Sequence, residues 1–221
     1  MTQNILEISF SNPGDGNRLG LEERRNLRSR LKEARGSGAT VVLIRVDKDA
    51  WDQDPVLDPS SISARHVSEE FHSAVVELFA LGVPVVVYLD GRVTGFGLAL
   101  ALACDIRFAT PEASFGIGLP ETPNALISGT SWLLAERAGS ALASHLIWTG
   151  RLITAEEAHR FQLLSGISTD DHQARDLADR LAALPKGATS ALKRSTNGRL
   201  RADLSAQLDY DSWLATVSSG A

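Results

Sequence analysis

The chain has 221 residues, a length suited to one domain with a sizeable core, and 43% of them are hydrophobic while 22% are charged. Its net charge of −5 provides no basic surface for nucleic acid, and its single cysteine excludes an internal disulfide. It contains neither a run of about 18 apolar residues, as a membrane span needs, nor an N-terminal signal peptide, so a cytoplasmic protein is expected.

The first part of the chain alternates strand and helix patterns. Alternating apolar and polar residues predict a half-buried strand over Ile5–Phe10, and spaced apolar residues among charges predict an amphipathic helix over Leu21–Ala34. A continuous apolar run predicts a buried strand over Val41–Val46. Helical spacing of apolar residues then predicts a helix over His66–Leu81.

A polar segment, residues 47–63, separates the second strand from the second helix. It contains two prolines and is too long for a simple connection, so a functional loop is one interpretation. In that interpretation Asp52, Asp54 or Asp58 places a carboxylate in a pocket. The other interpretation is an acidic loop exposed to solvent.

The segment Val83–Thr110 organises the rest of the sequence. The apolar run Val85–Leu89 predicts a strand buried on both faces, and Gly95-Phe96-Gly97 predicts a glycine-rich bend. The leucines and alanines of Leu98–Ala103 predict a helix without a polar face. Unpaired amides and the positive end of the helix dipole meet at the start of such a helix, which suits an anion or an oxyanion. Cys104, inside this buried segment, is expected to be an inert thiol.

The second half of the chain is predicted to be mainly helical. Thr154 and Glu157 have the spacing of a capping box at the start of one helix. The other helical patterns cover Thr130–Gly139, Ser140–Gly150, Asp171–Leu184, Ala188–Asn197 and Leu200–Val217.

Two stretches resemble the motifs of the crotonase superfamily, the enoyl-CoA hydratases and isomerases. The positions of Val83–Thr110 that match the central motif without a gap are Pro84, Gly91, Gly95, Gly97, Leu100, Ala101, Cys104, Asp105, Arg107 and Ala109. The stretch Thr149–Ala158 is similar to a second, structural motif of the family. The resemblance implies an α/β fold, with a crotonase-like ββα superhelix over residues 1–184 and a helical trimerisation region over residues 185–221.

The resemblance also implies where a site would lie. It places an oxyanion hole at the backbone N–H groups of Phe96 and Gln53. The substrate pocket is then expected around Gly95, Ala99 and Leu119. In the family the segment that supplies the first donor has the form Phe-(Ser/Ala)-x-Gly-x-Asp, and this chain departs from it at most positions.

The carboxylates that hydratases use are altered. Hydratases carry a glutamate three residues after the oxyanion glycine, where this chain has Ala99 and therefore no titratable group. A gapless alignment puts Leu119 at the second glutamate position, whereas a two-residue insertion puts Glu121 there. Glu121 is thus either a lone general acid/base or an ordinary loop carboxylate, and Asp54 is the next candidate. A hydratase with two glutamates is not encoded.

Two functions remain open at this stage. The first is a lyase or isomerase of the enoyl-CoA hydratase/isomerase type, acting on an acyl thioester or related conjugated carbonyl by isomerisation, decarboxylation or elimination, in specialised biosynthesis. The second is a binding or scaffold protein that has kept the fold and lost the site. No cofactor is required in either case, although CoA or phosphopantetheine is expected as part of the substrate.

The expected partners are a small acyl substrate and further copies of the chain, as a homotrimer or hexamer. Neither His66 nor His72 has a cysteine or carboxylate at metal-ligand spacing, so no metal site is predicted. Lys186, Lys193 and Arg194 are interpreted either as exposed helix charges or as contacts to an adenylate or phosphopantetheine phosphate.

Overall fold

The computed structural model describes residues 5–11, 19, 21–52, 64–118 and 129–218, and the structural statements below concern these residues. The strands in these ranges are β1 (Ile5–Phe10), β2 (Val41–Val46), β3 (Val85–Leu89), β4 (Arg92–Thr94), β5 (Ile106–Ala109), β6 (Ser114–Gly116), β7 (Ile153–Thr154) and β8 (Gly166–Ile167). The helices are α1 (Leu21–Gly36), α2 (Ala64–Ala80), α3 (Gly95–Ala103), α4 (Thr130–Ala138), α5 (Ser140–Thr149), α6 (Ala155–Arg160), α7 (His172–Ala182) and α8 (Lys186–Ser218).

The larger of two sheets is parallel, with the spatial order β1-β2-β3-β5-β8. The central strands β2 and β3 are buried almost throughout, which explains why their sequences are nearly continuous apolar runs. Val46 pairs with Leu89, and Leu89 pairs with Ala109. The carboxyl ends of three neighbouring strands therefore lie side by side, and the segments that follow them are brought together.

The smaller sheet leads into the central helix. It consists of β4, β6 and β7, and β4 continues directly into α3. Every residue of α3 is buried, which confirms the prediction of a helix without a polar face. The helix begins at Gly95, three residues before the predicted start at Leu98, so the glycine-rich stretch forms its first turn.

The C-terminal region is one continuous helix. The sequence predicted two helical stretches with a break near Gly198, but α8 runs for 33 residues without interruption. Nothing lies within 4 Å of the place where a side chain at Gly198 would begin, so this position is open. A glycine there lowers helix propensity by about 1 kcal/mol without breaking the helix. The division of the chain after residue 184 stays a prediction.

Lys193 anchors α8 to the parallel sheet. Its Nζ donates to the carbonyl oxygen of Val83 at 2.9 Å and lies 2.8 Å from Oδ2 of Asp105. Asn197, one turn later, donates through Nδ2 to Oδ1 of the same aspartate at 2.7 Å. Lys193 is only 6% exposed, so the interpretation as an exposed helix charge or phosphate contact was wrong for this residue.

The predicted capping box at the start of α6 is confirmed. Thr154 Oγ1 accepts a hydrogen bond from the Glu157 amide at 3.2 Å, and the Glu157 carboxylate accepts one from the Thr154 amide at 3.0 Å. A side-chain hydrogen bond from Arg151 to the same carboxylate is the main cause that lowers the pKa of Glu157.

Candidate active site

The end of β2 and the start of α3 meet at the carboxyl edge of the parallel sheet. The amide of Thr94 donates to the carbonyl oxygen of Trp51 at 3.1 Å. A Cβ atom placed on Gly97 would overlap that same carbonyl group, so only glycine allows this approach. Residues 51 and 52 are thereby held against the first turn of α3.

The first turn of α3 has an unusual backbone. Thr94 precedes the helix in an extended conformation (φ −130°, ψ 160°), and Gly95 then takes a left-handed φ of +51°. Glycine adopts such a φ without the steric cost that other residues incur. The positive end of the helix dipole lies at this first turn, which packs against Trp51.

Phe96 is the second residue of α3. The side chain is 1% exposed and belongs to the main hydrophobic core, together with Trp51 and Leu100. The ring is thus part of the packed interior, and the proposed oxyanion role concerns the main chain of Phe96 alone.

Asp52 is the buried carboxylate of the site. It is 6% exposed, its Oδ1 accepts a hydrogen bond from Thr94 Oγ1 at 2.7 Å, and its Oδ2 lies 3.7 Å from Arg92 Nε. Buried carboxylates in proteins are normally paired in this way. The interpretation of residues 47–63 as an exposed acidic loop was therefore wrong for Asp52. Asp54 and Asp58 lie outside the described residues.

Trp51 contributes a large apolar side chain beneath the site. It is fully buried, and its ring meets that of Phe10 edge to face, with 5.6 Å between the ring centroids and an angle of 60°. Its indole Nε1 has no hydrogen-bond partner in the part of the chain that the structure describes. A buried donor without a partner costs about 1 to 3 kcal/mol.

The structure describes only some of the predicted site residues. Ala99 is fully buried in α3, so this helix supplies no carboxylate to the site. Gly95 is the first residue of the same helix and not part of a bend before it. The other predicted residues, Gln53, Asp54, Leu119 and Glu121, lie outside the described residues, and their roles stay predictions.

Two further polar residues, Thr130 and Asp211, make contacts that were not predicted from the sequence. Thr130, at the start of α4, donates through Oγ1 to the carbonyl oxygen of Gly95 at 3.2 Å. Asp211 of α8 is 5% exposed and accepts hydrogen bonds from Gln207 Nε2 at 2.8 Å and from the backbone of Gly129. Burial raises the pKa of Asp211 to about 6. No sequence signal marked either residue, because both depend on contacts between distant helices.

Open cavities also lie away from this site. Two cavities of about 370 and 340 Å³ adjoin Leu81 and Gly82, which precede β3 at the opposite edge of the sheet. Arg194 lines both cavities, Lys186 lines the first and Arg201 the second. Lys186 and Arg194 are exposed, in agreement with one of their two interpretations.

The described residues give no support for a reactive thiol, a metal site or a membrane-spanning helix. Burial raises the pKa of the Cys104 thiol to about 12, which agrees with the prediction of an inert thiol. Within the described ranges, no three histidine, cysteine or acidic side chains are grouped as metal ligands. None of the helices in those ranges has both the length and the apolar character of a membrane span.

Comparison with known proteins places these features in a family context. A family model described as "Enoyl-CoA hydratase/isomerase" matches residues 1–218. The relative named "Putative enoyl-CoA hydratase/isomerase YngF", from Bacillus subtilis (strain 168), is 30% identical over 225 residues, which cover 93% of this chain and 83% of the relative. Cyclohexa-1,5-dienecarbonyl-CoA hydratase of Thauera aromatica is 36% identical over 107 residues, covering 48% of this chain and 41% of the relative.

Solved structures share the fold over almost the whole chain. An enoyl-CoA hydratase from Bacillus halodurans superimposes with a TM-score of 0.81 at 21% identity, covering 96% of this chain and 90% of the other. One from Bacillus anthracis gives a TM-score of 0.79 at 24% identity, covering 97% and 88%. The α/β fold that the resemblance implied is confirmed.

Proposed function

This chain belongs to the enoyl-CoA hydratase/isomerase family, and from that premise we propose that it stabilises the enolate oxygen of an acyl thioester or a related conjugated carbonyl. The proposed donors are the backbone N–H groups of Phe96 and Gln53. Main-chain donors fixed by the fold stabilise charge that develops in a reaction without having to reorganise.

One observation carries the proposal. The chain leaving β2 is packed against the first turn of α3, so closely that a side chain at Gly97 would overlap the carbonyl group of Trp51. This contact brings the main chain of residues 51–52 next to the amides at the positive end of a buried helix. Backbone donors on the two segments can then act on one oxygen atom.

The reaction we propose is isomerisation, decarboxylation or elimination rather than the addition of water. Water addition in the family relies on two glutamates, and α3 offers Ala99 at the first of these positions. A single carboxylate is enough to remove a proton or to move it between carbon atoms. Glu121 is our first choice for that carboxylate and Asp54 our second.

The proposed substrate carries its acyl group on CoA or phosphopantetheine. These groups form part of the substrate, and no resident cofactor is proposed. The names of relatives such as cyclohexa-1,5-dienecarbonyl-CoA hydratase refer to CoA thioesters, which supports this class of substrate. We further propose a role in specialised biosynthesis with a carrier-linked substrate, and the altered motifs around residues 53 and 99 support this proposal.

We also propose that the chain assembles as a homotrimer or hexamer through α8. This helix exposes large apolar side chains: Leu192 is 63% exposed, Tyr210 52% and Trp213 57%. Tyr210 and Trp213 stack with 5.7 Å between their ring centroids, so two exposed aromatic rings lie together on this helix. Light scattering should give three or six times the chain mass of 23.7 kDa, and a monomer would contradict the assembly.

Enolate formation can be tested without knowing the natural substrate. We expect butyryl-CoA to exchange its α-protons for deuterium in D₂O when the protein is present, as seen by NMR. Glu121→Gln should abolish the exchange if Glu121 moves the proton, and Asp54→Asn should abolish it if Asp54 does. Glu112→Gln, which changes an exposed carboxylate, is the matched control. Exchange that none of these variants affects would exclude both carboxylates.

A scaffold protein without catalysis is the second candidate. The observation that favours it is Ala99, since α3 carries no titratable side chain in its nine residues. If it is correct, no thioester produces proton exchange. If in addition no CoA or pantetheine thioester raises the melting temperature, substrate binding is excluded for those ligands, because a ligand that binds the native state must stabilise it.

A further inference from the structure

We infer that Asp52 is a positioning residue for the candidate active site: its carboxylate fixes the entrance of α3 and thereby sets where the first amides of that helix lie. The inference rests on the proposed function in one respect, namely that those amides bind a carbonyl oxygen. The contacts of Asp52 with Thr94 and Arg92 do not depend on the proposed function.

The first step is the burial of the carboxylate. Asp52 is 6% exposed, and an ionised carboxylate loses most of its hydration at such a position. The loss is offset here by the hydroxyl of Thr94, 2.7 Å from Oδ1, and by the guanidinium of Arg92, whose Nε lies 3.7 Å from Oδ2. A hydrogen bond that involves an ionised group is stronger than one between neutral groups. Asp52 is therefore firmly tied to the strand that enters α3.

The second step is that residues 51 and 52 contact the entrance of α3 both before and after Phe96 in the sequence. Before it, the Thr94 side chain is held by Asp52 and the Thr94 amide by the carbonyl oxygen of Trp51, at 3.1 Å. After it, Gly97 lies against that same carbonyl group. Two consecutive residues in the segment that follows β2, Trp51 and Asp52, thus contact the start of α3 on both sides of Phe96, and Asp52 supplies the side-chain contact.

The third step concerns the Thr94 hydroxyl. Thr94 precedes α3 as Thr154 precedes α6, but the two hydroxyls have different partners. Thr154 Oγ1 accepts a hydrogen bond from the Glu157 amide of its own helix. Thr94 makes no side-chain capping bond to α3 and instead donates to Asp52. The hydroxyl therefore serves the contact with the end of β2 and not the capping of the helix.

These contacts predict a specific functional effect. Loss of the carboxylate removes the side-chain contact to Thr94 while the contacts of the Trp51 carbonyl remain, so the backbone at Gly95 and Phe96 is held less tightly against residues 51–52. Binding that depends on the carbonyl oxygen should weaken, because hydrogen bonds to an oxyanion need donors at about 2.7 to 3.1 Å. Binding through the rest of the ligand should be unaffected.

The test compares two ligands that differ only at the carbonyl group. Dissociation constants for butyryl-CoA and for its thioether analogue, in which CH₂ replaces the carbonyl, are measured by calorimetry on the full chain. The preference for the thioester is the dissociation constant of the thioether divided by that of the thioester. We expect Asp52→Ala and Thr94→Val each to reduce this ratio at least fivefold, while the dissociation constant of the thioether changes less than twofold. The double variant should show no further loss, because both changes break the same contact.

Conservative variants separate positioning from folding. Asp52→Asn keeps an oxygen that accepts the Thr94 hydroxyl, and Thr94→Ser keeps the hydroxyl, so both should retain the thioester preference even if the alanine variant does not fold. Asp47→Ala, which changes an exposed carboxylate just beyond β2, is the matched control and should behave as the wild type.

Each remaining outcome has a clear meaning. An unchanged preference in Asp52→Ala would overturn the inference and leave the proposed function intact. Equal weakening of both ligands, or loss of the preference in Asp52→Asn and Thr94→Ser as well, would overturn it too, because a general structural defect then explains the result. A wild-type chain that binds thioester and thioether equally would overturn the proposed oxyanion site and this inference with it.

Discussion

Gly97 of α3 lies directly against the main-chain carbonyl of Trp51, with no room between them for even a methyl group. The two residues are 46 positions apart in the sequence and belong to different layers of the fold. Their contact joins the edge of the parallel sheet to the start of the buried helix. The candidate active site depends on it, because both proposed backbone donors lie within two residues of this contact.

Gly97→Ala should therefore destabilise the protein strongly. The added methyl group meets backbone atoms that cannot move aside without displacing β2 or α3, and we expect the free energy of unfolding to fall by about 3 kcal/mol. Gly198→Ala is the matched control, since Gly198 lies in α8 with open space around it. That change should raise stability by up to about 1 kcal/mol through better helix propensity. Urea denaturation measures both, and a neutral Gly97→Ala would show that the contact is looser than described.

The unpaired indole nitrogen of Trp51 leads to a second prediction. Trp51→Phe removes a buried donor without a partner and keeps an aromatic ring against Phe10, so the cost should stay below about 1 kcal/mol. Trp51→Ala empties a fully buried position and should cost about 3 to 5 kcal/mol. The difference between the two variants is measured by thermal or urea unfolding. Similar losses for both would show that the nitrogen has a partner.

A third prediction concerns two neighbours in α8: Lys193 is buried, whereas Arg194 is exposed. Lys193→Met leaves Asp105 without its buried cation, and we expect a loss of about 3 kcal/mol in the free energy of unfolding. Arg194→Met changes an exposed residue and should alter stability by less than about 0.5 kcal/mol. If both variants lose the same stability, the ion pair is not what holds α8 to the sheet.

Asp211 should give the protein a distinct pH dependence. Its pKa is raised to about 6 in the folded state, from an ordinary value of 3.8, so the folded state binds the proton more tightly than the unfolded state does. The resulting stabilisation is complete below pH 3.8 and is lost as the pH rises through about 6. Between pH 5 and pH 7.5 we expect Asp211 to account for a loss of about 1 kcal/mol.

Asp211→Asn removes the titrating group and should remove this part of the pH dependence. Asp209→Asn, an exposed neighbour in the same helix, should leave it in place. Urea unfolding at the two pH values gives the free energy of unfolding of each variant. The quantity compared is the difference between the two pH values, so a change in stability that is equal at both does not affect it. If Asp211→Asn loses as much stability between the two pH values as the wild type does, another group causes the pH dependence.

The fold could be predicted well wherever local sequence determines the environment. The bounds of β1, β2 and β3 agree with the predicted ones, because a continuous or alternating apolar run has only one way to be buried in a sheet. The burial of α3 followed from its leucines and alanines. The capping box at Thr154 was predicted because both partners lie within one helical turn.

Predictions failed where glycine was taken as a break in a helix. α3 starts at Gly95 because a left-handed φ carries the chain directly into the helix, and a residue with a side chain would favour a different entry. α8 continues through Gly198 because the lower propensity of one exposed glycine is small beside the contacts of a 33-residue helix.

The buried polar groups could not be predicted, because their partners are remote in the sequence. The sequence left open whether Asp52 is buried in a pocket or exposed in an acidic loop, because its hydroxyl partner, Thr94, lies 42 residues downstream. Asp211 has a raised pKa because the packing of α8 buries its carboxyl group, and the hydrogen bonds from Gln207 and the Gly129 backbone only partly offset this effect. Such pairings are set by the tertiary fold, and no local pattern of residue types indicates them.

The methyl group of Ala99 has a consequence for any attempt to turn this chain into a hydratase. It is enclosed on all sides by its neighbours in α3 and the surrounding core. A glutamate introduced there brings four more heavy atoms and a charge into an interior already closed around alanine, at a cost of several kcal/mol. Ala99→Glu alone should therefore destabilise the protein and not confer water addition.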